Sequence, residues 1–149
     1  MIRFEREALQ DMGDDVYRSL FMRGFGYYMD DPKPEEIIRI MDDGEEAAFA
    51  GLIRLDQETT MLFCIAPLNK TDAFQLNGYF LKLLQYIHAD LGFKWIMTEM
   101  PATARERIAA ALLAGFIIVA MHDPDASAIL RLMHMASPGM PVEKPGRVH

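Results

Sequence analysis

Residues 61–100 restrict the fold more than any other part of the chain. Met61–Ala66 (MLFCIA) is apolar throughout, and Phe93–Met100 (FKWIMTEM) is a second strand-like run closed by Pro101. Between them, from Ala73 to about Leu91, the residues Leu76, Phe80, Leu83, Leu84, Ile87 and Leu91 recur at helical spacing. Gly92 then supplies a helix stop. Strand, long helix and strand in that order predict two parallel neighbours joined by a right-handed crossover. An apolar residue at every position of the first strand predicts a central place covered on both faces. A chain organised around such a unit is α/β.

The flanking sequence supplies the rest of the sheet. Met1–Glu7 reads as a short strand with Ile2 and Phe4 on one face, and Asp14 or Asp15 can cap a helix running to Gly24–Gly26. Val16, Leu20, Phe21 and Phe25 recur on one side of that helix. A loop follows at Asp31-Pro32-Lys33-Pro34. Ile37–Met41 and Ala47–Leu55 then read as strands joined by the tight turn Asp42-Asp43-Gly44, a strong hairpin signal. After the second helix and its strand, Thr103-Ala-Arg-Glu106 has the form of a capping box. It opens a helix carrying Ile108, Leu112 and Leu113 that ends at Gly115. Phe116–His122 and Ser127–His134 form a last hairpin across HDPDA. The predicted order is β-α-β-β-β-α-β-α-β-β, a mixed sheet of about six to seven strands with helices on both faces. Residues 1–136 are expected to form one domain. Ser137–His149, rich in Pro and Gly, is expected to lie over the surface or to lack fixed structure.

Composition excludes several classes of function. One cysteine, Cys64, allows neither an internal disulfide nor a cysteine-based zinc cluster. It lies in an apolar strand with no Cys–His spacing, so a buried structural thiol is expected rather than a nucleophile. His88, His122, His134 and His149 show no ligand spacing, so no metal site is expected. The uncharged run Ile108–Met121 falls short of the roughly 20 residues a membrane helix needs. The N-terminus lacks the apolar stretch of a secretory signal. A soluble, cytoplasmic protein is expected, and Asn69-Lys70-Thr71 is then a glycosylation sequon by letters alone. Residues 1–60 hold 15 acidic and 7 basic side chains, a balance of −8, whereas residues 61–149 hold 7 and 8, a balance of +1. No basic stripe exists for nucleic acid. The acidic half is either a solvated face or an attractor for a cationic partner such as an amine. Met133 and Met135 can line an exposed apolar edge, a candidate homodimer contact.

This element order resembles that of the GNAT acyl-CoA N-acyltransferases over residues 1–135. AALLAGFIIVA (residues 110–120) is similar to the family's last-helix ending, a leucine-rich turn running into Gly-Phe and a strand. IAPLNKTDAF (residues 65–74) stands where the family places its acyl-CoA loop. The resemblance implies acetyl-CoA as cosubstrate and an amine as acceptor. It implies that Phe63, Cys64 and Ile65 of the strand, with Lys70, Thr71, Asp72, Ala73 and Phe74, hold the cosubstrate. A helix N-terminus can bind its pyrophosphate through unpaired N–H groups and the positive end of the helix dipole. The departures are specific. Thr71 stands at the first glycine of the family's loop, with Asp72 beside it and Ala73 at the last small position. Ala111 stands at the family's tyrosine acid and Ala104 at its helix-start asparagine. Short divergent members with eroded loops, some of them carried by tailed phages, share such departures.

Two readings stay open at each candidate residue. Thr71 or Asp72 is either part of an anion loop or an ordinary helix N-cap. Glu99, near the C-terminal end of a strand where α/β sheets open their ligand crevice, is either the general base for an ammonium substrate or a strand-end carboxylate paired with a basic neighbour. Three readings of the function therefore stay open: an N-acetyltransferase acting on an amine, a catalytically silent assembly or interaction module with a protein partner, and a CoA binder without turnover.

Overall fold

The computed structural model describes residues 1–25, 34–68, 72–122 and 128–136. The chain forms β1 (Ile2–Ala8), α1 (Asp14–Phe25), β2 (Glu36–Asp42), β3 (Glu45–Arg54), β4 (Thr59–Pro67), α2 (Ala73–Ala89), β5 (Trp95–Pro101), α3 (Arg105–Leu113), β6 (Ile117–His122) and β7 (Ile129–Met135). The strands are hydrogen-bonded in the order β1-β2-β3-β4-β5-β7-β6. β4 and β5 run parallel, while β1–β2, β2–β3, β5–β7 and β6–β7 are antiparallel. The sheet is thus mixed, as the sequence predicts. Lys70, Thr71, the sequon, most of the Asp31–Pro34 loop, the HDPDA turn after His122 and the tail Ser137–His149 lie outside the described residues. Among the described residues no helix is long and apolar enough to cross a membrane, and no group of side chains could hold a metal ion.

Two compact units divide the chain. The first comprises Met1–Arg54 and Leu62–Leu83. Its core gathers Met12, Tyr17, Leu20, Phe21, Ile37, Phe49, Ala66 and Leu68. Phe21 stands between two rings, 4.7 Å from Tyr17 and 5.6 Å from Phe49 between centroids. The inward face of α1 is Tyr17, Leu20, Phe21 and Gly24, an i, i+3, i+4, i+7 stripe. Leu20 and Phe21 face inward as expected, and the correction is at Val16, which is 46% exposed while Tyr17 is only 1% exposed. A tyrosine ring carries enough apolar area to outcompete a valine for the inward position. Gly24 allows the helix to lie close, because a Cβ there would meet Phe49 Cε1 at 2.6 Å and the Ala66 Cβ at 2.8 Å. The hairpin β2–β3 closes through Asp43 (φ 53°) and Gly44 (φ 84°), both left-handed as a two-residue turn requires.

The second unit comprises Leu55–Met61 and Leu84–His149. Its parallel ladder pairs Thr59 with Trp95, Thr60 with Ile96 and Met61 with Met97. The two strands are joined by α2, the predicted crossover. Leu84, Ile87, His88, Phe93, Ile96, Ala111, Phe116 and Leu132 are buried here. α3 differs from expectation. Its N-cap is Ala104, with no side-chain cap bond, so the Thr103–Glu106 box does not form. The helix begins one residue too late for the Thr103 hydroxyl to reach its amides. Ala111 is its buried residue, while Leu112 is exposed and Leu113 is 90% exposed. The two end strands of the sheet differ in character. β1 carries Arg3, Glu5, Arg6 and Glu7, with pairs Arg3–Glu5 at 2.8 Å and Arg6–Glu36 at 3.0 Å. β6 (IIVAMH) has no Asp, Glu, Lys or Arg, and Ile117 and Met121 are each 60% exposed.

Candidate functional site

The loop from β4 into α2 is the first place the sequence singles out. Ala66 and Leu68 anchor its start in the core of the first unit, and Leu68 N–H donates to the Ala47 carbonyl at 2.9 Å. On the far side, Asp72 caps α2. Its Oδ1 accepts the Gln75 amide at 2.8 Å, and Gln75 Oε1 accepts the Asp72 amide at 3.2 Å. That is a reciprocal capping box, Asp-x-x-Gln. It spends two donors on the chain itself and leaves the first-turn amides of Ala73 and Phe74 outside the box. The Phe74 ring is 87% exposed. Ile65 is half-buried, and the Phe63 and Cys64 side chains lie outside the described set. The amides of Ala73 and Phe74, at the positive end of α2, suit an anion, and the exposed Asp72 carboxylate beside them opposes one.

Glu99 of β5 pairs across the sheet with Arg131 of β7. Its Oε2 accepts two bonds from that guanidinium, from Nε at 3.1 Å and Nη2 at 3.0 Å. Both side chains remain about one-third exposed (34% and 38%), so the pair is screened and solvent can reach the carboxylate. Ala111 buries its methyl group, and its carbonyl accepts the amides of Ala114 and Phe116. No side-chain acid stands at that position.

In the first unit, acidic and basic side chains share a depression. An open depression of about 270 Å³ in the first unit is lined by Asp15, Val16, Ser19, Leu20, Arg23, Arg39 and Glu46. Its two carboxylates face two guanidinium groups, and Glu46 already holds both Arg23 and Arg39 at 3.1 Å. Arg39 also binds Glu7 at 2.7 Å.

Two polar clusters escape a reading of the sequence. Tyr79 of α2 donates its hydroxyl to Asp42 at 2.6 Å. That bond, reinforced by burial and the carboxylate charge, pushes the phenol up to about 12. In the second unit, His88 and His134 meet at 2.9 Å between Nε2 and Nδ1. The outer nitrogens face backbone carbonyls: His88 Nδ1 lies 2.8 Å from Phe93 O, and His134 Nε2 lies 3.0 Å from Ala114 O. Burial lowers the pKa of both imidazoles. Their separation of 46 residues hides the pair from any spacing rule.

Known structures share this architecture. The chain is similar to an acetyltransferase of the GNAT family from Bacillus cereus ATCC 10987, with a TM-score of 0.65 and 13% identity over 91% of this chain and 97% of that one. It is similar to a GNAT family acetyltransferase from Elizabethkingia anophelis with acetyl-CoA bound, with a TM-score of 0.60 and 15% identity over 91% and 98%. It is also similar to the ribosomal-protein-S18-alanine N-acetyltransferase from Escherichia coli, with a TM-score of 0.59 and 14% identity over 100% and 99%. No protein-family profile and no curated protein sequence matches the chain. The likeness is one of fold: the chain has the GNAT acetyltransferase fold.

Proposed function

We propose that the chain is an acyl-CoA-dependent N-acetyltransferase of modest efficiency acting on an amine. The observation that carries the reading is the parallel β4–α2–β5 unit, in a fold held in common with an acetyltransferase bound to acetyl-CoA. The residues at the α2 N-terminus fit the cosubstrate in part. The Ala73 and Phe74 amides would hold its pyrophosphate, supported by Lys70 and approached less closely because of Thr71 and Asp72. Acetyl-CoA, when bound, supplies an acyl group activated as a thioester. Phe63, Cys64 and Ile65 would flank it, and strand amides would polarise its carbonyl. The amine nitrogen bonds to the acyl carbon as the carbon–sulfur bond breaks. Glu99 receives the proton that the ammonium gives up, directly or through a water. Ala111 cannot return a proton to the departing thiolate, so that proton comes from solvent.

A second reading is favoured by specific observations. The Asp72–Gln75 box, the Glu99–Arg131 pair and the buried Ala111 methyl suit a protein that keeps the fold as a binding module without turnover. Calorimetric titration with acetyl-CoA, followed by thiol-release assays over an amine panel, separates the two. Asp72→Asn keeps the cap and removes the charge. It should tighten acetyl-CoA binding about fivefold, the ~1 kcal/mol of a screened surface charge. Absence of binding in both forms establishes the silent module.

A further inference from the structure

We infer that His88 and His134 form a buried binding site for a single proton, shared between the facing nitrogens of the two rings. The hydrogen-bond inventory of the two rings requires that proton. A carbonyl oxygen only accepts, so Phe93 O requires a proton on His88 Nδ1 and Ala114 O requires one on His134 Nε2. A neutral imidazole has one N–H, and each ring has then used its own. If both rings were neutral, His88 Nε2 and His134 Nδ1 would turn two lone pairs toward each other at 2.9 Å. Turning either ring over would put carbon where both of its nitrogens now bond. One added proton resolves the conflict: the ring that carries it is an imidazolium and donates to the other. A second added proton would set two N–H groups against each other and place two charges in one buried pair.

The surroundings suit one positive charge. His88 lies in the last turn of α2, and Ala114 is the C-cap of α3, so the negative ends of two helices face the pair. The Phe116 ring lies 5.0 Å from the His134 ring, within reach of a cation–π contact. On β5 the register partner of His134 is Ile96, which is apolar and buried. Among the described residues of α2, α3, β5, β6 and β7, no carboxylate, Lys or Arg is paired with either ring. Among the described residues, the titratable group facing each imidazole is the other. Burial, and for His88 the charge on His134, lower both imidazoles and oppose the shared proton; the facing nitrogens are what require it, and they leave no acceptor for a second.

The test uses the full chain labelled with ¹⁵N-histidine. Long-range ¹H–¹⁵N correlation spectra are recorded from about pH 5 to about pH 9, across the range where a free imidazole titrates near 6.5. The expected pattern has protons fixed on His88 Nδ1 and His134 Nε2, with the two facing nitrogens shifted together by one shared proton at neutral pH. Two neutral rings at pH 7, or two protons taken up separately while the fold persists, would overturn the inference. His134→Asn should leave His88 neutral at pH 7, and a His88 still charged in that variant also overturns sharing. Should the variant not fold, the spectra of the unaltered chain decide the matter alone.

Discussion

Gly24 and Gly78 offer the same chemical change with opposite expected signs. Both are helical glycines in the first unit, where replacement by alanine gains up to about 1 kcal/mol of helix propensity. At Gly78 of α2 an added Cβ meets nothing within 4 Å, so Gly78→Ala should stabilise by about 0.5–1 kcal/mol. At Gly24 of α1 the same Cβ would stand 2.6 Å from Phe49 Cε1 and 2.8 Å from the Ala66 Cβ, about 1 Å inside ordinary carbon contact. Phe49 is fully buried against Phe21, and Ala66 has no side-chain torsion by which to retreat. Overpacking of this kind costs about 1–3 kcal/mol, which exceeds the propensity gain and leaves a net loss of about 1–2 kcal/mol. Urea titration reads the difference directly. With slopes of about 1–3 kcal/mol per molar for small domains, the two midpoints should separate by roughly 1 M or more. Phe49→Leu in the Gly24→Ala background should cost less than Phe49→Leu alone, because the contacting atom is gone. A Gly24→Ala protein at least as stable as the parent, or strictly additive costs in the double variant, would refute the reasoning.

Other expectations follow from the polar clusters. Glu99→Gln should lower acetyl transfer by about 10²-fold with unchanged acetyl-CoA affinity, since it keeps the shape and removes the proton acceptor; equal rates would make Glu99 only the partner of Arg131. Tyr79→Phe should cost about 1 kcal/mol at neutral pH through the lost bond to Asp42. Because the folded phenol is raised to about 12, that stabilisation should persist up to about pH 10 and fade as pH rises from there toward 12, which chemical denaturation of parent and variant at several pH values would show. For His88 and His134 the sign changes near pH 6.5. Above it the folded pair holds more protons than two free imidazoles, so stability should rise as pH falls; below it the unfolded chain takes up two protons against one, so stability should fall with falling pH by a slope approaching ~1.4 kcal/mol per pH unit. Comparison with a variant lacking both histidines isolates that slope, and a two-proton slope would mean both folded rings are neutral.

Local patterns were legible in the sequence; contacts set by register were not. The periodicity of α2, the apolar run of β4 and the Asp43-Gly44 turn are each written within about twenty residues, and the structure follows them. On α1 Leu20 and Phe21 face inward as their spacing predicts, but Tyr17 takes the place expected of Val16 because its ring carries more apolar area. At Thr103 and at Asp72 the same kind of motif had opposite outcomes. The Thr103 box failed because α3 starts at Arg105, whereas Asp72 sits one residue before α2 and meets Gln75. Glu99–Arg131 and His88–His134 depend on β7 lying beside β5 instead of at the sheet's edge. That placement is a tertiary outcome with no local signature. Gly115 hints at it only in retrospect: at φ 104° a Cβ there would come within 3.1 Å of His134 Nε2.

The contrast between the two end strands limits how copies of this chain can add to one another. A strand edge is a template for further pairing unless charge or proline blunts it. β1 is blunted by four charged side chains and β6 by none. Of the two end strands described, β6 is the one that edge pairing between copies would use, and a contact that used the same edge on both copies would be satisfied after two chains. Growth at high concentration would stop at a closed pair with a two-fold axis, whereas a chain with two bare edges would extend into fibrils.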